Sequence, residues 1–395
     1  MTFWRHRLFE YPFFGHRFFG HRFFGHQRST MKTLWPGTRV LAVALCLLNA
    51  AHAFDPTKPV LADPTTLMEA GHWKRARALV DPRFRAHPND AETLYLEARI
   101  KTAFGAPDEA IKLAERAFEL NKNNVNYHGA LAQLYGDKAQ KANFLEQIVL
   151  ARKVKGHLDD ALALDPRNWQ TRSGLVQYYL LAPGIMGGDK QKAQAIADQA
   201  VKDDPGHGWM TQALIAQHDK DITKVEADYL SALKADPQSY SAMVALGTFY
   251  LQETVKKYDL AEKYARQAMK ADPGRSSGYS LLAAQMVYTG KTGGDLDALL
   301  AQAEKANPDD WTPYYAAGRT LIVVGKDFER AERYLRKYLA QEAEGNAPKH
   351  AYAHWRLGQM YQKSGKKDQA IVEFETCLRA EPSYEPAKKD LKALK

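Results

Sequence analysis

At 395 residues, with 45% hydrophobic and 26% charged residues, the chain has enough apolar material for a substantial core. That excludes wholesale disorder and leaves two or three ordinary domains or one elongated array. The net charge of +9 does not mark a nucleic-acid binder: Arg5, Arg7, Arg17, Arg22, Arg28, Lys32 and Arg39 precede residue 54 against one acid, Glu10, and the remainder is near +3.

The first predicted segments belong to processing rather than to a fold. From Phe13 to Gln27 the five-residue unit FFGHR, FFGHR, FFGHQ repeats. Its His16, His21 and His26 form a tract of the kind that can bind metal. The simpler reading makes Met31 the start and residues 1–30 a non-native upstream extension. From Met31 the chain reads MKTLWPGTRVLAVALCLLNAAHA. Lys32 and Arg39 come first, then an apolar run from Val40 to Leu48, then Ala51-His52-Ala53, the small-x-small pattern of a cleavage site. This predicts a secretory signal peptide over 31–53, cleaved near Phe54, and a periplasmic or secreted mature chain. The apolar run is too short to span a bilayer, so no stable membrane insertion is expected after cleavage. Lipidation at Cys46 is disfavoured by Leu45, which stands where such signals carry a small residue. Residues 54–62 read as a linker. Beyond them only Cys377 remains, which excludes an intramolecular disulfide or a cysteine metal cluster, and its place on an apolar helical stripe predicts a core residue.

From residue 63 onward a pattern of helical spacings recurs. Near Pro82 a first helix pair carries a proline inside its second helix, which predicts a kink or an early stop there. Ala98, Gly105, Ala110, Ala114 and Ala117 begin the series, followed by Leu131 with Ala132. Between Tyr135 and Asp165 the spacing stretches, and LEQIVLARKVKGHLDDALALDP predicts an elongated second helix. Leu175, Val176 and Tyr179 come next; Leu246, Gly247 and Tyr250 lead to Ala261, Ala265 and Ala268. Leu282 with Ala283 leads to Leu300 and Ala303, and Ala317 with Gly318 to Ala331 and Leu335. The clearest unit runs from Ala351 to Pro382, with Leu357, Gly358 and Tyr361 on one helix, a break at Gly365, and Ala370, Phe374 and Cys377 on a second. The small residues at 358 and 370 permit close helix crossing. Pro88, Pro166, Pro205, Pro237, Pro273, Pro308 and Pro382 lie 78, 39, 32, 36, 35 and 74 residues apart, where the first and last intervals are double units. Glu385 to Leu394 reads as a capping helix with a polar outer face.

These units resemble the tetratricopeptide repeat, a helix-turn-helix of about 34 residues. The resemblance implies an all-α, right-handed α-solenoid of about eight helix pairs, a partial pair first and a C-terminal capping helix last. It also implies that first helices line a concave groove for a protein or peptide. The matched groove positions hold Tyr95 and Arg99, Gln133, Ser173 and Gln177, Thr248, Tyr315 and Arg319, and Tyr352, Trp355 and Gln359. Aromatics and arginine are the residues that most often anchor interfaces; the plainer reading is that some of them pack between adjacent repeats. Chaperone-binding members hold a C-terminal carboxylate with lysine and asparagine, which these positions lack, so that ligand is not implied.

Catalytic and cofactor motifs fail on spacing. In YYLLAPGIMGGDKQKA, Tyr178 to Ala193, Gly188 is followed by Asp189 where a phosphate loop needs lysine, and GKTGGD from Gly290 to Asp295 has Gln285 where its first glycine should stand. Both are expected to be turns, with Asp189 and Asp295 as helix N-caps. Ile185 and Met186 at the first loop's tip read as a candidate partner contact. His350 and His354 are four apart but lack a carboxylate at a matching offset, and no metal, cofactor or catalytic residue is expected. The expected function is a non-catalytic protein-interaction scaffold of the bacterial periplasm, without nucleic acid. The alternative is a small-molecule or polymer-binding component of an envelope transport system.

Overall fold

The computed structural model describes residues 63–395; the pentapeptide tract, the signal segment with Cys46 and the linker lie outside them. Nineteen α-helices and one 3-10 turn follow one another, with no strand among the described residues. A short α1 (Pro64–Ala70) and α2 (Trp73–Ala86) come first. Eight helix pairs follow: α3 (Ala91–Ala103) with α4 (Pro107–Leu120), α5 (Val125–Ala139) with α6 (Phe144–Leu164), α7 (Trp169–Leu181) with α8 (Lys190–Asp203), and α9 (Pro205–His218) with α10 (Ile222–Ala235). The remaining pairs are α11 (Tyr240–Leu251) with α12 (Tyr258–Ala271), α13 (Ser276–Tyr288) with α14 (Gly294–Ala306), α15 (Thr312–Val324) with α16 (Phe328–Leu339), and α17 (His350–Lys363) with α18 (Lys367–Ala380). The array ends in α19 (Glu385–Lys392). This is the all-α helical-repeat solenoid that the spacing predicts.

The helices begin where a side chain can satisfy the free amides of a first turn. Asp90, Asn124, Asn143, Asn168, Asp189 and Asp221 each accept such an amide, a contact worth about 1 kcal/mol. Three of the Asp-Pro pairs are turns of one kind: Asp165, Asp236 and Asp272 accept the amide two residues on, at 3.0, 3.1 and 3.1 Å. The fourth pair differs, since Pro205 opens α9 as its first residue and Asp204 caps it. The prolines therefore mark the boundaries without all closing a unit in the same way.

The core is a stripe repeated along the array. Leu246, Leu282, Leu321 and Leu357 are fully buried on first helices. Ala110, Ala114 and Ala117, or Ala261, Ala265 and Ala268, are equally buried on second helices, where the small side chain lets the partner approach closely. Cys377 lies in this stripe, fully buried, with its thiol pushed up to about 11 by burial. The elongated second helix is present as α6, 21 residues long. Two expectations need correction. Pro82 does not stop α2, which runs on to Ala86; lacking an N–H, it removes one ladder hydrogen bond near the helix end. Asp295 is not a cap: Gly293 precedes α14, and Asp295 sits in the first turn, where the helix dipole favours its charge.

A feature the repeat pattern does not carry is that the N-terminal end of the array meets the connection that leads into its last helix pair. The Lys74 amide donates to Glu344 and the Asn346 amide to the carbonyl of Ala103, so α2 and α3 pack against the connection between α16 and α17.

Candidate protein-binding face

First helices lie side by side along most of the array: α3, α5, α7 and α9 in one run, α11, α13, α15 and α17 in another. The matched residues on them fall into three groups.

At the N-terminal end the structure brings Tyr95, Arg99 and Gln133 around one small pocket, walled by Trp73, Ala98 and Leu134. Tyr95 and Arg99 are only 8% and 6% exposed. The Arg99 guanidinium stands 5.6 Å from the Tyr95 ring centre and 5.8 Å from that of Trp73, within cation–π reach. Tyr127 packs on Tyr95 at 5.1 Å between ring centres. The face here is aromatic and cationic, with little of it open.

In the middle, Gln177 is exposed on α7, whereas Ser173 and Thr248 are half-buried. Toward the C-terminus, Tyr315 is buried and Arg319 half-buried on α15. Burial, and then the like charge of Arg356, pull the Arg319 guanidinium below its ordinary value, while Tyr315 and Tyr288 oppose the shift. Tyr288, at the end of α13, stacks on Tyr258 at 5.5 Å and 13°. Burial pushes its hydroxyl up, and both Arg319 and Arg356 act on it in the opposite sense. Two guanidiniums and a tyrosine thus stand on three successive first helices that pack side by side. Sequence reasoning placed Tyr315 and Arg319 here but missed Tyr288 and Arg356, which lie outside the matched positions; Trp73 was missed because it precedes the first whole repeat.

The third group is occupied by the capping segment. Tyr352 lies against Tyr384 with ring centres 4.9 Å apart, and Trp355 meets the same ring edge-on at 5.3 Å. The Trp355 indole N–H donates to Asp390 at 2.8 Å and the Gln359 amide to the same carboxylate at 3.1 Å. Arg356 covers the Trp355 ring at 4.1 Å and donates to the Gln359 carbonyl oxygen at 2.8 Å. Tyr352, Trp355 and Gln359 therefore fix α19 onto α17. The plainer reading, packing between adjacent elements, describes all three.

The loop from Pro183 to Gly188 is a closed turn. Pro183 carbonyl accepts the amides of Met186 at 2.8 Å and Gly188 at 3.1 Å; Gly187 donates to Gly184 at 3.0 Å and Asp189 to Tyr179 at 3.0 Å. The Tyr178 hydroxyl donates to the carbonyl of Met186. With these amides committed, the glycines offer no cradle for a phosphate. Gly188 is needed sterically, because a Cβ there would stand 1.8 Å from the Ala182 carbonyl oxygen. Gly187 holds φ +93, a left-handed conformation that glycine adopts freely. Asp189 caps α8, accepting from Gln191 at 3.0 Å and Lys192 at 3.1 Å, and those bonds hold its carboxyl below the usual range. At the tip Ile185 is 79% exposed and Met186 half-buried.

His354, His128 and His157 have structural partners. His354 meets Glu373 at 2.6 Å, which also binds Arg336 at 2.7 Å. His128 and His157 face each other at 3.1 Å, and His128 bonds the Lys122 carbonyl at 2.8 Å. No cluster of three or more His, Cys, Asp or Glu side chains suited to a metal occurs among the described residues. No described helix is long and apolar enough to cross a membrane.

Residues 226–276 and 351–384 match tetratricopeptide-repeat families. Residues 73–175 match a family described as regulator of microtubule dynamics protein 1-3. Among solved structures, the chain is similar to a thermophilic repeat protein of Thermus thermophilus, at 19% identity and TM-score 0.40 over 52% of this chain and 95% of that one. It is similar to a tetratricopeptide repeat protein from Parabacteroides merdae, at 16% and 0.42 over 67% and 98%, and to yeast Tom70, at 15% and 0.46 over 84% and 79%. No curated protein matches.

Proposed function

The chain is a tetratricopeptide-repeat protein, and on that premise we propose that it is a non-catalytic scaffold binding a partner protein or peptide along the inner faces of its first helices. Such repeats generally serve as protein-interaction scaffolds. The observation that carries the reading is that the neighbouring first helices α13, α15 and α17 lie side by side and carry the large residues Tyr288, Arg319 and Arg356, each half-buried. Anchors of this type, partly desolvated before binding, dominate interface energetics. We further propose that the chain is exported to the periplasm, since residues 31–53 carry the basic, apolar and small-x-small order of a secretory signal.

The test pairs Arg319→Ala with Tyr288→Ala in the full chain. Co-purification of the partner from envelope extracts is expected to be lost while far-ultraviolet circular dichroism is unchanged; undiminished recovery would move the binding face elsewhere. Hydrogen exchange of the complex separates the alternatives, because a peptide protects consecutive first helices and a small ligand a single locus. For export, the purified envelope protein should begin near Phe54, and a chain beginning at Met1 or Met31 in the cytosol refutes it.

A further inference from the structure

The second helices that end at an Asp-Pro turn can be aligned on that aspartate. Before Asp236 and Asp272, α10 and α12 each have 14 residues; before Asp165, α6 has 21. The surplus, Phe144 to Leu150, therefore falls at the start of α6. At 1.5 Å per residue it carries the tip of the α5–α6 hairpin about 10 Å farther from its turn than the other two helices reach.

These extra turns are apolar on both sides of the helix. Leu150, Leu158 and Ala161 are buried on one face. On the opposite face stand Phe144, Leu145, Ile148 and Val149, spaced one and four residues apart. Leu145 is 74% exposed, Phe144 58% and Val149 54%, with Ile148 half-buried. On α4, α10 and α18 the exposed large apolar residues stand singly or two turns apart: Leu120, Ile222 and Leu230, and Val372. Isolated residues of that kind need no explanation, whereas a contiguous group on a projecting helix end marks an interaction surface.

Cations frame the group. Lys138 and Lys141 precede the tip, Arg152 and Lys153 follow Val149, and all four are exposed. The one acid between them, Glu146, is met by Lys138 at 3.9 Å. Lys153 lies 4.5 Å from the Tyr135 ring centre, while Lys141 and Arg152 make no ion pair among the described residues. This charge selects the occupant. A second copy of the chain would bring two basic rims together, whereas an anionic surface complements them. Arg152 continues the outer face about 5 Å beyond Val149 along the axis. Apolar residues that enter a bilayer by about 5–10 Å would thus leave its guanidinium at the level of the headgroups.

We propose that the α5–α6 tip docks this chain on an anionic lipid surface, with Phe144, Leu145, Ile148 and Val149 in the acyl boundary and Lys138, Lys141, Arg152 and Lys153 on the phosphates. An element of this kind lies on a bilayer and does not span it. It belongs to a second helix, so the proposal does not rest on partner binding by the first helices.

The experiment mixes the full chain with vesicles of phosphatidylcholine and phosphatidylglycerol in equal parts, or of phosphatidylcholine alone. Co-sedimentation and hydrogen exchange are read for wild type, for Leu145→Glu with Val149→Glu, and for Lys141→Glu with Arg152→Glu. All four substituted side chains are exposed, so circular dichroism should be unchanged. The residues before 63 are common to every chain, and differences between variants report the tip. The wild type should sediment with the mixed vesicles, with slower exchange at amides 144–150 and release by high salt. Each double variant should bind about tenfold or more weakly. Equal recovery of wild type and both variants, with exchange at 144–150 unaffected by vesicles, overturns the proposal. Equal binding to phosphatidylcholine alone overturns the choice of an anionic surface. Protection of 144–150 that needs no vesicle and grows with protein concentration puts a second copy on the tip and overturns lipid docking, as does protection that only another protein supplies.

Discussion

Gly358→Ala tests the idea that small residues on the first helices are there for packing. In an isolated helix alanine is favoured over glycine by about 1 kcal/mol. At Gly358, however, an added Cβ would stand 2.5 Å from both Cδ1 and Cε1 of Phe374, a ring with no exposed surface on the paired helix. A rigid ring enclosed on all sides cannot move aside without displacing its own neighbours, and overpacking of this kind costs about 1–3 kcal/mol. The clash should win, for a net loss of up to about 2 kcal/mol. Gly156→Ala in α6 supplies the control: nothing lies within 4 Å of its Cβ, so only propensity acts and stability should rise by up to about 1 kcal/mol. A long repeat array need not unfold in one step, so the measurement is native-state hydrogen exchange resolved by helix, with α17 and α18 read for the first variant and α6 for the second. Opposite signs are expected at the two sites. Equal stabilisation of both would refute the close-packing argument.

Two further substitutions follow from buried groups and turns. Asp228 is 3% exposed, its Oδ2 meets no hydrogen-bond donor among the described residues, and burial pushes its carboxyl up from 3.8 to about 6, against the pull of Lys224. A raised carboxyl binds protons more tightly in the folded chain, so its contribution to stability declines as pH rises from about 4 to 6 and then levels off. Asp228→Asn should flatten that slope and stabilise α10 at pH 7 by up to about 3 kcal/mol; an unchanged slope in pH-dependent denaturation rules out Asp228 as its source. Gly188→Ala places a methyl 1.8 Å from a backbone oxygen, so the turn must open, at a cost of about 1–3 kcal/mol. Exchange of the amides from Met186 to Asp189 should then accelerate while α17 is unaffected, and retention of their protection would show that the turn accommodates a side chain.

The helical architecture was legible because a repeat advertises itself. Intervals of three, four and seven between apolar and small residues locate the two faces of each helix, and the Asp-Pro turns locate most boundaries, so the pairs from α3 to α18 could be counted beforehand. The errors are local ones. Asp295 reads as a cap by analogy with Asp189, but the cap falls two residues earlier, at Gly293, and the helix starts at Gly294. Pro82 reads as a kink or an early stop, yet α2 runs four residues past it to Ala86. The binding face was legible only by register. Register puts Tyr315 and Trp355 at equivalent positions, and nothing in it tells that Tyr384 and Asp390 cover the second. It also passes over Tyr288 and Arg356, which reach the same space from other turns of their helices.

What the sequence determined by itself is whatever depends on neighbours within about forty residues: helix or turn, apolar face or polar face, which small residue allows a crossing. These follow from period and propensity, and every repeat restates them. Only the tertiary structure decided that the first helices, α2 and α3, lie against the connection between α16 and α17. That position is the sum of small rotations between successive pairs, none of which leaves a mark in composition, and only after the sum is taken does Trp73 come to rest on Gly345.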